Sequence, residues 1–179
     1  TAVAIDDSDF ILLPGVGHFN EAMKRIRDRN LIDILKIKVL KQKTPILGIC
    51  LGMQLFSDIS EEGDVSGLGW IKGKTVRLNG GYKPIKIPHI GWTTVKDVGV
   101  ERSPLLNGIE EEKRFYFVHS YHLKCENSND IVTMSTYEGV EFVSAVRKHN
   151  ICGTQFHPEK SHRDGMKVVW NFLRYSGLV

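Results

Sequence analysis

Pro45-Ile-Leu-Gly-Ile-Cys50-Leu-Gly-Met-Gln-Leu-Phe56 is the stretch from which the fold is read. Its first five residues are a short apolar run, the pattern of a buried strand. Leu51 to Phe56 resume a helical pattern directly after Cys50. Gly48-Ile49-Cys50-Leu51-Gly52 therefore puts a cysteine in a strand-to-helix turn, the thiol form of the G-x-S-x-G nucleophile elbow. Glycines two residues to either side permit a tight turn without side-chain clashes. Such a turn exposes the sulfur at the C-terminal edge of a sheet, beside a helix N-terminus that favours the thiolate. The competing account is a buried structural cysteine with incidental glycines.

Upstream, Phe10-Ile-Leu-Leu13 is another short apolar run, ended by the glycine turn Pro14-Gly15-Val16-Gly17. From His18 to about Lys43 the pattern is helical, in two pieces broken near Arg29-Asn30, with Leu31, Ile34 and Leu35 spaced for one buried face. Strand, helix, strand, helix predicts a parallel sheet in an α/β domain. After Asp58 the texture changes. Segments 70–78, 114–118, 131–137, 141–147 and 151–156 are short and rich in Val, Ile, Phe, Tyr and Thr, as expected of antiparallel strands. Ser103-Pro104 suits the opening of a single helical turn over Leu105-Leu106. The chain closes on a helix with an apolar stripe of Met166, Val169, Trp170 and Leu173. The expected fold is a single α/β domain over 1–179: a mixed, largely parallel central sheet flanked by helices, with an antiparallel β portion.

Composition narrows the function classes. The 179 residues are 41% hydrophobic, enough to bury a core and too apolar for a disordered chain. Twenty-four basic against 21 acidic residues leave a net charge of +3, which argues for neither a nucleic-acid nor a membrane-surface protein. The three cysteines, Cys50, Cys125 and Cys152, show no C-x-x-C spacing, so a disulfide framework or zinc ribbon is not expected. A reducing cytoplasm is the expected compartment. Cys125 and Cys152 read as small packing residues.

A cysteine nucleophile needs a base, and there are seven histidines to choose from. His157 stands out in Gln155-Phe-His157-Pro-Glu159-Lys-Ser161, directly after an apolar segment. Residues i and i+2 of an extended chain point to one side, so Glu159 is placed to orient the imidazole and stabilise its cation. The same H-x-E string opens the zinc-deaminase signature, which needs a later P-C-x-x-C. Cys152 is the last cysteine, so that reading fails and no metal is expected. His119 and His122 read as half-buried strand residues, and His18, His149 and His162 as surface. His89, among Pro88, Gly91 and Trp92, reads either as packing or as an interface or ligand residue.

Gly-Ile-Cys50-Leu-Gly-Met-Gln54 followed far downstream by Phe-His157-Pro-Glu159 resembles a class I (triad) glutamine amidotransferase. Pro14-Gly-Val-Gly17, Pro88-His-Ile-Gly-Trp92 and Phe117-Val-His-Ser-Tyr121 narrow the resemblance to the glutaminase subunits of imidazole glycerol phosphate synthase. It runs from about Phe10 to Leu173. The resemblance implies that Cys50 attacks the side-chain amide of glutamine, releasing ammonia and leaving a glutamyl thioester that water hydrolyses. His157 is then base and acid, and Glu159 its orienting group. The oxyanion donors implied are the backbone N–H of Leu51 and an N–H from the turn carrying Val16 and Gly17. Gly15, Gly52, Gln54, Glu62 and the Ser120–Tyr121 backbone match positions on the substrate side. Glu62 is suited to pairing with an α-ammonium, and without the resemblance reads as a solvated loop acid. The implied partner is a (β/α)8-barrel cyclase subunit in a heterodimer, which uses the ammonia to make imidazole glycerol phosphate and AICAR in histidine biosynthesis. His89, Trp92 and Lys160 resemble that interface. No cofactor is implied.

The chain departs from the family pattern in places. The family's first βα unit, before the strand matching Phe10–Leu13, is expected to be absent. Ile90 stands where Met is common, and Thr93 where Asn is usual. The ending Glu-Lys-Ser161-His162 also resembles paralogues that feed ammonia to amination of a surface-polysaccharide sugar. A non-enzymatic relative or inactive fragment is the third reading, against which the intact Cys50, His157 and Glu159 count.

Overall fold

A computed structural model of the chain describes residues 1–81, 83–98 and 103–179. The first half alternates helix and strand: α1 (Ala2–Asp6), β1 (Ile11–Gly15), α2 (Phe19–Asp28), α3 (Ile32–Lys36), β2 (Ile46–Cys50) and α4 (Leu51–Gln54). Short strands follow: β3 (Ile59–Ser60), β4 (Val65–Ser66), β5 (Gly73–Arg77), β6 (His89–Thr94), β7 (Lys96–Asp97), β8 (Arg114–His119), β9 (Tyr121–Cys125), β10 (Ile131–Tyr137), β11 (Val140–Lys148) and β12 (Ile151–Thr154). Helix α5 (His162–Tyr175) closes the chain. No helix among the described residues is long and apolar enough to cross a membrane.

The central sheet has the order β1-β2-β12-β11-β10-β7. Strands β1, β2 and β12 run parallel, whereas β11, β10 and β7 are joined by antiparallel pairs. Strand β2, buried at all five positions, forms the middle of the parallel part, as its unbroken apolar run requires. A four-stranded sheet β4-β3-β5-β9 and the hairpin-like pair β6-β8 complete the β portion. The mixed α/β architecture is the one expected.

Three expectations need adjustment, and one strand carries no readable signal. The segment at 151–156 is antiparallel only toward β11; toward β2 it is parallel, Cys152 lying opposite Leu47. Helix α4 is a single turn that stops at Gln54 instead of reaching Phe56. Its last carbonyl, that of Gln54, accepts from the hydroxyls of Ser57 at 2.8 Å and Thr75 at 3.2 Å, which ends the helix with its acceptor satisfied. Strand β6 has no periodic pattern in the sequence, because Pro88 and Gly91 interrupt it. Finally, α5 buries Gly165, Val168, Asn171 and Phe172, while Met166 and Trp170 of the apolar stripe are 56% and 50% exposed. Phe172 packs with Leu47, Ile49 and Cys152 on one face of the sheet. The break near Arg29-Asn30 is as expected: Asn30 has φ +54° and separates α2 from α3. Ser103 likewise caps the turn Pro104–Leu106 through Leu105 N–H.

Candidate active site

The ends of the three parallel strands meet at one edge. Gly15, the last residue of β1, is in register with Cys50, the last of β2, and β12 ends three residues before His157. Side chains far apart in sequence converge here because loops at the C-terminal ends of parallel strands open to the same side. They line a cleft of about 320 Å³ formed by Gly15, Val16, Cys50, Gln54, Glu62, His119, Tyr121 and His157, among others.

Cys50 is held at φ +53°, ψ −109°, a conformation an L-residue adopts only when its surroundings enforce it. The flanking glycines show how. A Cβ on Gly48 would lie 2.7 Å from backbone atoms of Gly52 and Met53, and one on Gly52 would run into the Leu13 carbonyl of β1. Both positions accept nothing larger than hydrogen, so the turn folds tightly onto the neighbouring strand.

The thiol is 7% exposed, and burial pushes its pKa up to about 11. The Leu51 N–H and the Gln155 amide oppose that rise by favouring the thiolate. Gln155 Nε2 donates to Sγ at 3.5 Å, and Sγ lies 3.7 Å from the Val118 carbonyl that receives its proton. At neutral pH the group rests as a thiol, so reaction needs a base.

His157, buried at 2% exposure, is the candidate for that base in the same cleft. Its Nδ1 lies 2.7 Å from Glu159 Oε1, which makes Nδ1 the protonated nitrogen and leaves Nε2 as acceptor. Nε2 is buried without a hydrogen-bond partner in the cleft that Cys50 lines. The ring is further fixed by its own backbone: His157 N–H donates to Tyr116 at 2.9 Å, and its carbonyl accepts from Ser161 Oγ at 2.7 Å.

Of the residues expected on the substrate side, Gly15, Gln54, Glu62, Ser120 and Tyr121 line the same cleft and Gly52 does not, and several of their polar atoms are already in use. Gln54 donates through Nε2 to the Tyr121 carbonyl at 2.7 Å and to Gln155 Oε1 at 3.0 Å. Ser120 and Tyr121 form the corner between β8 and β9, where the Ser120 carbonyl accepts from Leu78 N–H. Glu62 does more than sit in a loop. Its carboxylate accepts from Phe19 N–H at 2.9 Å, at the start of α2, and meets His18 Nδ1 at 3.1 Å. Gly52 is packed against β1 and acts on the site through the shape of the turn. In the glycine turn, Val16 is 82% exposed and Gly17 has φ +100°.

Of the three residues assigned to a partner surface, two cluster. Trp92 stacks on His162 with ring centroids 5.0 Å apart and meets Tyr116 edge-on at 6.1 Å, and Lys160 Nζ lies 6.0 Å over the Tyr116 ring. His89 is 1% exposed and turned inward, so it offers no surface; its neighbour Ile90 is 58% exposed. Gln155 and Val118 carry no role assigned from the sequence, and His119, expected to be a half-buried strand residue, is buried at 5% exposure and lines the cleft. For Gln155 a signal existed, since it precedes His157 by two residues and extended chain puts such pairs on one side. Val118 acts through its carbonyl, which no residue type announces. Among the described residues no cluster of three or more His, Cys, Asp or Glu is placed to hold a metal.

A thiol on a strained turn, a histidine with a free Nε2 and a carboxylate behind it can perform acyl transfer through a thioester. Comparison with known proteins gives the family. The family described as glutamine amidotransferase class-I matches residues 2–175. The chain is 50% identical over 164 residues, 92% of its length and 79% of the relative's, to the imidazole glycerol phosphate synthase subunit HisH 2 of Methanococcus maripaludis. It is 45% identical over 171 residues, 95% of its length and 83% of the relative's, to subunit HisH 1 of Campylobacter jejuni strain RM1221. A solved glutamine amidotransferase superposes with TM-score 0.70 over 99% of this chain and 84% of that one, at 14% identity, a likeness of fold. The strained Cys50 turn and His157 thus stand in a chain matched over residues 2–175, and this protein belongs to the class-I glutamine amidotransferase family.

Proposed function

We propose that the chain is the glutaminase subunit of an imidazole glycerol phosphate synthase, working with a (β/α)8-barrel cyclase subunit. The observation that carries the reaction is the unpartnered Nε2 of His157, in the cleft of a buried Cys50 thiol and backed by Glu159. Nε2 takes the thiol proton as Sγ bonds to the side-chain carbonyl carbon of glutamine. The oxyanion so formed is held by Leu51 N–H and by an N–H of the Val16–Gly17 turn. The imidazolium returns the proton to the departing nitrogen, the C–N bond breaks, and ammonia leaves a glutamyl thioester. Water, deprotonated by the same Nε2, then releases glutamate and restores the thiol. Gln54, Glu62 and the Ser120–Tyr121 corner receive the amino-acid end.

Ammonia in neutral water is mostly protonated and a poor nucleophile, so a docked acceptor subunit gives the reaction its use. Trp92, Lys160 and the exposed Ile90 support that docking surface. The free Cys50, Cys125 and Cys152 suit a reducing cytoplasm. The test is ammonia release from glutamine, alone and with a histidine-pathway cyclase subunit and its nucleotide ligand. Strong stimulation that vanishes in Cys50→Ala is the expected result. A folded chain whose Cys50 reacts with a glutamine-analogue trap but gains nothing from the cyclase would instead point to an acceptor such as a sugar precursor.

A further inference from the structure

Three histidines are buried, and two of them, His89 and His119, have no part in the triad. They face each other across the β6-β8 pair, in register, with His89 Nδ1 and His119 Nε2 3.0 Å apart. Their protonation follows from the end of the chain. His119 Nδ1 lies 2.8 Å from the Tyr121 carbonyl, which only accepts, so Nδ1 carries the proton and Nε2 accepts from His89 Nδ1–H. His89 Nε2 is then left to accept from the Thr93 hydroxyl at 2.8 Å. Burial pushes the pKa of His89 down to about 4 and of His119 to about 3, so both rings stay neutral and the direction holds. The His89 ring is clamped by Tyr137, 4.0 Å away, and Phe117, 5.0 Å away.

The Tyr121 carbonyl at the end of this chain also accepts from Gln54 Nε2. Gln54 in turn donates to Gln155, whose amide donates to Cys50 Sγ. One unbroken series of hydrogen bonds therefore runs from Thr93 on β6 to the cleft wall. We propose that His119, oriented by His89 and Thr93, is a positioning residue that holds the Tyr121 carbonyl, and through it Gln54, in the arrangement that receives the amino-acid end of glutamine. This rests on the glutaminase reading.

The test separates holding the wall from filling space. Inactivation by 6-diazo-5-oxo-L-norleucine, which carries the amino-acid end of glutamine, gives a half-saturating concentration; alkylation of Cys50 by iodoacetamide, which lacks that end, serves as control. His119→Phe keeps a ring and removes the donor, whereas His119→Asn keeps an N–H near the position of Nδ1. For His119→Phe the half-saturating concentration is expected to rise about tenfold, the cost of an unmade buried hydrogen bond, with iodoacetamide alkylation within about twofold of wild type. His119→Asn is expected to stay within about threefold of wild type on the same reasoning. Thr93→Val, a near-isosteric change at a half-buried site, should shift the concentration the same way by about two- to threefold. A packing role predicts the reverse order, because Phe fills the site and Asn does not. A folded His119→Phe with unchanged saturation, or an Asn variant as impaired as Phe, overturns the proposal. If neither His119 variant folds, Thr93→Val decides, and unchanged saturation there overturns it equally. A wild-type chain that reacts with iodoacetamide but never with the analogue would instead overturn the glutaminase reading.

Discussion

Gln155→Met removes one hydrogen-bond donor from the Cys50 sulfur while keeping an unbranched side chain of similar volume. Gln155 is fully buried, and its Nε2 lies 3.5 Å from Cys50 Sγ. A hydrogen bond to a charged group contributes about 1.5–3 kcal/mol, and the long N···S separation argues for the low end. One pKa unit corresponds to about 1.4 kcal/mol, so the thiol should rise by about one unit. Its starting point is about 11, so between pH 7 and 9 the thiolate is a minor species and its fraction falls about tenfold. The more basic thiolate is intrinsically more nucleophilic, which recovers about half of that on a logarithmic scale and leaves a net loss of about threefold. The assay is the rate of iodoacetamide alkylation across this range, with Cys50→Ala as blank and thermal melting to confirm the fold. The two logarithmic pH–rate lines should be parallel, the variant lower by the same interval at every pH. A folded Gln155→Met that alkylates at the wild-type rate would show that the amide does not act on the sulfur, and the reasoning would fall.

Other outcomes follow from the same geometry. Glu159→Gln should retain more glutamine hydrolysis than His157→Ala, because it weakens the hold on Nδ1 without removing the base; equal loss in two folded variants would refute that division of roles. Gly52→Ala, whose methyl must displace the Leu13 carbonyl, should lower stability by about 1–3 kcal/mol in denaturant titration and slow Cys50 alkylation. Stability should also fall on acidification below about pH 6.5. His89 and His119 remain neutral in the folded chain down to about pH 4 and 3, so the unfolded chain binds the extra protons. The loss is about 1.4 kcal/mol per pH unit for each ring, and urea midpoints at pH 7 and 5 should show a shallower drop in His119→Asn.

The parts of the site that the sequence displayed are those built by neighbours in the chain. Gly48, Cys50 and Gly52 act on one turn, and His157 and Glu159 are separated by one proline, so spacing alone carries their meaning. The same holds for the α2–α3 break at Asn30 and the cap at Ser103, where one residue's backbone preference decides the outcome. What needed the folded molecule was whatever depends on which strand lies beside which. β12 is parallel to one neighbour and antiparallel to the other, a fact of sheet order that its Ile-Cys-Gly-Thr sequence does not contain. The apolar stripe of α5 has helical periodicity, yet which flank faces inward was settled by packing, Gly165 closing on Pro158 and Ser161 and Phe172 joining Leu47 and Ile49 of the sheet. His89 and His119 are 30 residues apart and become partners only through the β6-β8 register. Gln155 meets Cys50 across 105 residues because β12 lies beside β2. Local chemistry is written in short spacings, whereas cross-strand hydrogen bonds depend on register, and register is chosen by the packing of the whole chain.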